Sequence, residues 1–224
     1  MKTLKFLMLP VLLSMFFVLI SAKTDDSKET ERIHKSINVL KDFTEMKESI
    51  PHDLMQECKG IVIIPNLLNA GFGIGGKRGR GIAMVKLDDG RWSDPVFVTL
   101  TGGSIGFQIG VQSIDLVLIF RHKGVLTKVD NGDFTIGGDA SAAAGPVGRN
   151  TSASTDYAMQ AEVYSYSRSR GLFAGISING SNLGIDKSAI ANYYGPDVTS
   201  HQVFDMAKSN TDAVVELKQT LKAM

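Results

Sequence analysis

Two glycine-rich phrases in this chain have the spacing that chemistry uses. Gly71-Phe72-Gly73-Ile74-Gly75-Gly76 satisfies G-x-G-x-x-G, the loop that brings backbone amides up to a dinucleotide pyrophosphate. That use needs a helix to open directly after the glycines. Lys77-Arg78-Gly79-Arg80-Gly81 follows instead, which reads as a turn and then another strand, so nucleotide binding is not expected. Gly102-Gly103-Ser104-Ile105-Gly106 satisfies G-x-S-x-G, the nucleophile elbow of hydrolases, with Asp115 and His201 downstream in the chain order of a triad. The elbow joins a parallel strand to a helix, and residues 105–111 are too short and too glycine-rich for that helix. His34, His52, His122 and His201 are dispersed, and Cys58 alone cannot make a structural metal site, so neither metal nor cofactor is expected.

The remaining candidates are cationic. Lys77, Arg78 and Arg80 fall in the expected turn, where side chains reach solvent and can meet phosphate groups. Arg168 and Arg170 alternate along a strand end and so project to one face. Arg149 follows the Gly145-Pro146 turn and either joins one of these patches or pairs with a carboxylate. Gathered on one surface, each such group adds about 1 kcal/mol of attraction to an anionic membrane. The whole chain carries 24 Lys and Arg against 23 Asp and Glu, so no global field draws it to nucleic acid. Asp88-Asp89 and Asp25-Asp26 resemble paired carboxylates, but one pair lies in a turn and the other near the expected mature N-terminus, where both are solvated.

Positioning these groups falls to a central β region between helices. Residues 26–54 carry Ile33, Ile37, Leu40 and Phe43 at three- and four-residue steps, continued by Met46 and Ile50, which predicts one amphipathic helix ended by Pro51. Its stripe packs on the core or, less in keeping with a polar face of mixed sign, lies in a lipid interface. Short β-rich runs follow at 61–64, 81–87, 96–100, 115–120 and 134–136. Asp88-Asp89-Gly90 and Asp130-Asn131-Gly132 supply turns. Tyr157 to Tyr166 alternates as a two-faced strand, and residues 171–180 offer a further one. Cys58 reads as a small buried residue at the start of the first strand, and Trp92 as a core anchor rather than an interfacial one. Gly71, Gly73, Gly75 and Gly76, then Gly102, Gly103, Gly106 and Gly110, imply curvature, bulges or close backbone approach. The tail returns to helix at 188–193 and 204–224. The expected fold class is therefore α+β, with a curved or barrel-like, mainly antiparallel sheet flanked by N- and C-terminal helices.

Lys2 and Lys5 precede an apolar run from Phe6 to Ile20, and the run ends at Ser21-Ala22, the layout of a secretory signal peptide. Pro10 interrupts a run shorter than the roughly 20 residues of a spanning helix, which favours cleavage after Ala22 over an uncleaved anchor. The expected organisation is a leader at 1–22 and one domain at 23–224, large enough to bury a core without disulfides. Export, and a periplasmic place peripheral to the membrane, follow from the leader.

Several phrases occur together in the order shown by SYLF (Ysc84-like) domains. They begin with Ile64-Pro65 before the glycine run at 71–76, then Gly90-Arg91-Trp92-Ser93-Asp94-Pro95, which resembles G-x-W-S-x-P. Residues 103–110, the strand Asp115-Leu116-Val117-Leu118, and Gly145-Pro146-Val147-Gly148-Arg149 follow. Tyr164-Ser165-Tyr166-Ser167, residues 171–177, Gly180-Ser181 and Asn192-Tyr193-Tyr194-Gly195 complete the series. The chain resembles the bacterial secreted single-domain type, from about Ile33 onward. The resemblance implies a non-enzymatic lipid-binding module, known in eukaryotic relatives for phosphoinositides and in the yeast branch for actin filaments. With an export leader, actin is not an expected partner. Anionic membrane lipid is the leading expectation and an envelope protein partner the alternative, with Lys77, Arg78, Arg80, Arg149, Arg168 and Arg170 as the candidate lipid-binding residues.

Overall fold

The computed structural model describes residues 27–46, 50–131, 134–145, 161–169, 172–173 and 176–224. The leader, most of the alternating run from Tyr157, Arg149 and Arg170 lie outside the described residues.

Helix α1 (Lys28–Glu45) opens at Ser27, whose hydroxyl accepts the Thr30 N–H, and buries Ile33, Ile37, Leu40 and Phe43. The stripe packs on the core, so it is not the apolar edge that an interfacial helix would offer. The single helix expected over 26–54 is two: α2 (His52–Glu57) restarts after Pro51, because proline is accepted at a helix start and not in its interior.

The expected short runs merge. Strand β1 (Gly60–Val85) pairs antiparallel with β2 (Val96–Phe120) along almost all of both lengths. The connection includes Asp88-Asp89-Gly90, with Gly90 at φ 82° as the turn requires. The turn expected at Lys77-Arg78-Gly79-Arg80-Gly81 is instead the middle of β1. Glycine there serves a crossing of strands: a Cβ on Gly81 would stand 1.9 Å from the Ile63 carbonyl oxygen, and one on Gly79 would stand 2.5 Å from Ile64 Cγ2. The ribbon thus folds back over itself, and its ends meet where the Lys86 N–H donates to the Lys59 carbonyl at 2.9 Å.

Short elements complete the sheet. After α3 (Lys123–Thr127) come β3 (Phe134–Ile136), β4 (Ala142–Ala144), β5 (Val163–Ser169), β6 (Leu172–Phe173) and β7 (Ser181–Ile185). Among the described residues the sheet has seven strands in the path β3-β7-β2-β5-β4, with β1 beside β2 and β6 beside β5. Only β4 with β5 runs parallel among these pairs. The sheet curls into a nearly closed barrel, as its glycines implied. Among the described residues of the strand expected at 171–180, Leu172–Phe173 is strand and residues 176–178 are not.

The C-terminal half ends in α4 (Lys187–Tyr194), α5 (Ser200–Phe204) and α6 (Asp212–Ala223). The long tail helix expected from Phe204 is interrupted by an extended stretch at 206–211. That stretch is held by Asp94, whose buried carboxylate accepts the N–H groups of Lys208 and Ser209 at 3.2 and 3.0 Å. Helix α6 buries Val214, Leu217 and Leu221 and joins α1 through Lys41 and Glu216 at 2.7 Å.

Candidate functional site

Residues of β1 alternate between two unlike faces. Leu67, Lys77, Gly79 and Gly81 are buried, whereas Leu68, Ala70, Ile74, Gly76, Arg78 and Arg80 are exposed. Because side chains alternate along a strand, this is one inward face and one outward face. The outward face is polar at one end: Arg78 and Arg80 lie opposite Thr101 and Thr99 of β2, and those threonines lie opposite Asn182 and Gly184 of β7.

Arg78 has no ion pair among the described residues. Arg80 is 63% exposed, and its Nε stands 3.9 Å from Asp186 Oδ2. That carboxylate is largely satisfied without it, since Arg32 donates to it at 3.1 Å, Ser188 at 2.8 Å and the Ala189 N–H at 3.2 Å. Burial alone would raise the Asp186 pKa, but those donors outweigh it and hold the carboxyl below its ordinary value. Two neighbouring cations on one strand face thus remain largely available to an outside anion.

The other expected cations are differently placed. Lys77 faces inward, where its Nζ donates to the Ser177 carbonyl and burial lowers its pKa. Arg168 binds Asp42 of α1 and Asp115 of β2, the latter at 2.9 Å, with its guanidinium 6.0 Å from the centre of the Phe43 ring. It therefore ties β5 to β2 and α1. Arg149 and Arg170 fall outside the described residues. The expected set is consequently not one patch: the structure brings Arg78 and Arg80 together and turns Lys77 and Arg168 to internal contacts.

The hydrolase geometry is not assembled. Residues 102–106 are strand rather than a strand-to-helix elbow, Asp115 is engaged by Arg168, and His201 on α5 faces Asp205 at 3.3 Å. The glycines at 71–76 likewise run on into strand, without the helix that a pyrophosphate site needs.

A second feature of the same face was not anticipated. Leu68, Ile74 and Val111 are 53, 81 and 71% exposed, and Leu172 on β6 is 73% exposed. Leu172 pairs with Ser169, whose hydroxyl reaches the Ser113 carbonyl, and Ser113 is the register partner of Leu68. Leu68, Ile74 and Val111, three of the five large apolar side chains exposed among the described residues, therefore share the outward face of the ribbon, and Leu172 lies on β6 nearby. The signal was present as alternation, with an apolar residue on one parity and glycine on the other through residues 70–75.

Comparison with known proteins places this chain in a family. Residues 101–224 match the family model Ysc84, described as "Las17-binding protein actin regulator". The chain is 36% identical over 170 residues to the SH3 domain-containing YSC84-like protein 1 of Xenopus laevis, covering 73% of this chain and 50% of that protein. It is 39% identical over 160 residues to the SH3 domain-containing protein PJ696.02 of Schizosaccharomyces pombe, covering 70% and 37%. With the LAS seventeen-binding protein 3 of Saccharomyces cerevisiae it shares 35% over 157 residues, covering 69% and 34%. The chain spans half or less of the length of these relatives. A match across more than half of the chain, on a fold of the kind its motifs implied, establishes that it belongs to the Ysc84-like (SYLF) family.

Proposed function

We propose that this protein is a non-enzymatic module that attaches peripherally to anionic lipid surfaces, with Arg78 and Arg80 meeting the headgroup phosphates. The observation that carries this reading is the pairing of these two exposed cations on one sheet face, with Arg78 free of any ion pair among the described residues. A guanidinium offers a planar fork of donors suited to phosphate oxygens. Each contributes about 1 kcal/mol near an anionic surface, a strength suited to reversible attachment. The leader at 1–22 directs the protein to the periplasmic side of the envelope in this reading. No helix among the described residues is long and apolar enough to cross a membrane.

Vesicle flotation tests it. Binding to vesicles containing phosphatidylglycerol or a phosphoinositide falls as salt rises and is lost in Arg78→Glu with Arg80→Glu, while phosphatidylcholine vesicles are not bound. Attachment indifferent to salt and to charge reversal would overturn the proposal.

The Las17-binding description of the family and the name of its budding-yeast relative support a second reading, in which the same face engages a protein partner. Cross-linking in the native envelope separates the two, since a protein partner leaves a discrete adduct that Arg78→Glu removes.

A further inference from the structure

We infer that the bend of the β1/β2 ribbon is a built-in insertion element, whose outward apolar side chains enter the edge of a lipid bilayer while Arg78 and Arg80 stay at its headgroups. This rests on the lipid reading above and specifies how the surface is engaged.

Between Gly103 and Ser113, β2 is paired only with β1 among the described strands, because β7 leaves it at Gly102 and β5 joins it at Asp115. Among the described residues this stretch is thus a two-stranded ribbon. Its curvature comes from the backbone. A Cβ on Gly75 would stand 2.1 Å from the Ala70 carbonyl oxygen, and one on Gly71 would stand 2.9 Å from the Gly75 Cα. Glycine therefore lines the concave side, where no side chain fits, and Leu68, Ala70 and Ile74 stand on the convex side with Val111 opposite Ala70. Two irregularities in register accompany the bend, one between Ile64 and Leu67 and one between Phe72 and Gly73. At the first, Asn66 takes φ 52° and its N–H donates to Asp115 at 3.0 Å.

Charge complementarity identifies the occupant. Apolar side chains gathered on a convex surface suit a soft apolar medium better than a rigid groove. Arg78 and Arg80 follow Ile74 on the same strand face, four and six residues along, or about 13 and 20 Å of strand path. That order sets carbon below the headgroups and guanidinium among them, with a penetration of about 5–10 Å. Backbone groups along the ribbon edges that no described strand pairs limit deeper entry, since hydrocarbon cannot hydrogen-bond them. Helix α1 cannot supply the apolar surface, because Ile33, Ile37, Leu40 and Phe43 are in the core.

The test uses the full chain and vesicles of phosphatidylglycerol and phosphatidylcholine carrying brominated acyl chains. In Ile74→Trp, the added fluorescence, read against the wild type with its buried Trp92, shifts to the blue and is quenched by the bromines; in Val215→Trp it is not. Leu68→Ser with Ile74→Ser binds the same vesicles about tenfold or more weakly, keeps its salt dependence and melts as the wild type does. If the wild type floats with the vesicles but Ile74→Trp is unquenched and the serine variant binds equally well, insertion is overturned and the lipid reading stands. If the wild type binds no vesicle, both fall. If the serine variant instead turns a dimer into a monomer in sedimentation and leaves flotation intact, the bend is a self-association surface and insertion is overturned.

Discussion

The closed end of the β1/β2 ribbon and the bend at its middle belong to the same antiparallel ladder and treat their side chains oppositely. At the connection between the strands, the groups are satisfied from within. Ser93 accepts the Val85 N–H at 3.0 Å, Asp94 receives Lys218 at 2.5 Å in addition to two backbone amides, Tyr194 donates to the Pro95 carbonyl at 2.8 Å, and Lys86 lies 5.4 Å from the Trp92 ring centre. At the bend, Leu68, Ile74 and Val111 meet solvent over a floor of glycine. Both regions carry phrases by which the family is recognised, yet only one has its work inside the molecule. A recurring motif whose polar groups are all used internally is an architectural tether. A motif that leaves carbon in water points to something outside.

The strongest way to break this contrast is at the tether. Asp94→Ala leaves Lys218 without its carboxylate and two part-buried backbone amides without an acceptor, and a loss of about 3 kcal/mol is expected in urea unfolding. A stability within 0.5 kcal/mol of the wild type would mean that the C-terminal segment is held by other contacts. Gly81→Ala follows, at about 2 kcal/mol, because its Cβ meets the Ile63 carbonyl across the strand crossing. Gly103→Ala, with open space around its Cβ, costs well under 1 kcal/mol by the same measurement.

Arg78→Glu sharpens the contrast from the other side. Stability stays within about 0.5 kcal/mol, as for surface substitutions away from internal contacts, while vesicle binding drops by about tenfold or more. Arg168→Gln should do the reverse, with lowered stability and little change in flotation, because its partners are Asp42 and Asp115.

The smallest effect is in pH. The Asp186 carboxyl is held below its ordinary value, so its contribution is present at neutral pH and is lost as the pH falls below about 4 and through the folded-state pKa. Asp186→Asn should flatten that acid limb of the stability curve and leave alkaline behaviour unchanged. Cys58 offers an independent monitor, since burial pushes its thiol up to about 11. Alkylation at pH 8 should therefore proceed only as fast as the chain opens.

Much of the architecture was legible. The apolar steps at Ile33, Ile37, Leu40 and Phe43 identify a core-facing helix because a 3.6-residue period repeats within the segment itself. Glycine density identified a curved sheet, and Asp88-Asp89-Gly90 its turn. The three alanines of β4 carried no strand signal, since alanine lacks the side-chain surface that favours a pleated sheet. Lys77-Arg78-Gly79-Arg80-Gly81 imitated a turn, because local preference cannot distinguish glycine needed for chain reversal from glycine needed where another strand crosses.

By itself the amino-acid order determined the family, the α+β class and the cationic residues available, because those depend on composition, periodicity and short phrases. Which cations face outward was decided by contacts distant in sequence: Arg168 meets Asp42 from 126 positions away and Lys77 meets Ser177 from 100. Charge is a property of a residue, but its availability depends on what the folded chain places beside it. The apolar bend likewise exists only once the ribbon has curled, when glycine closes one face and leaves the other to the solvent.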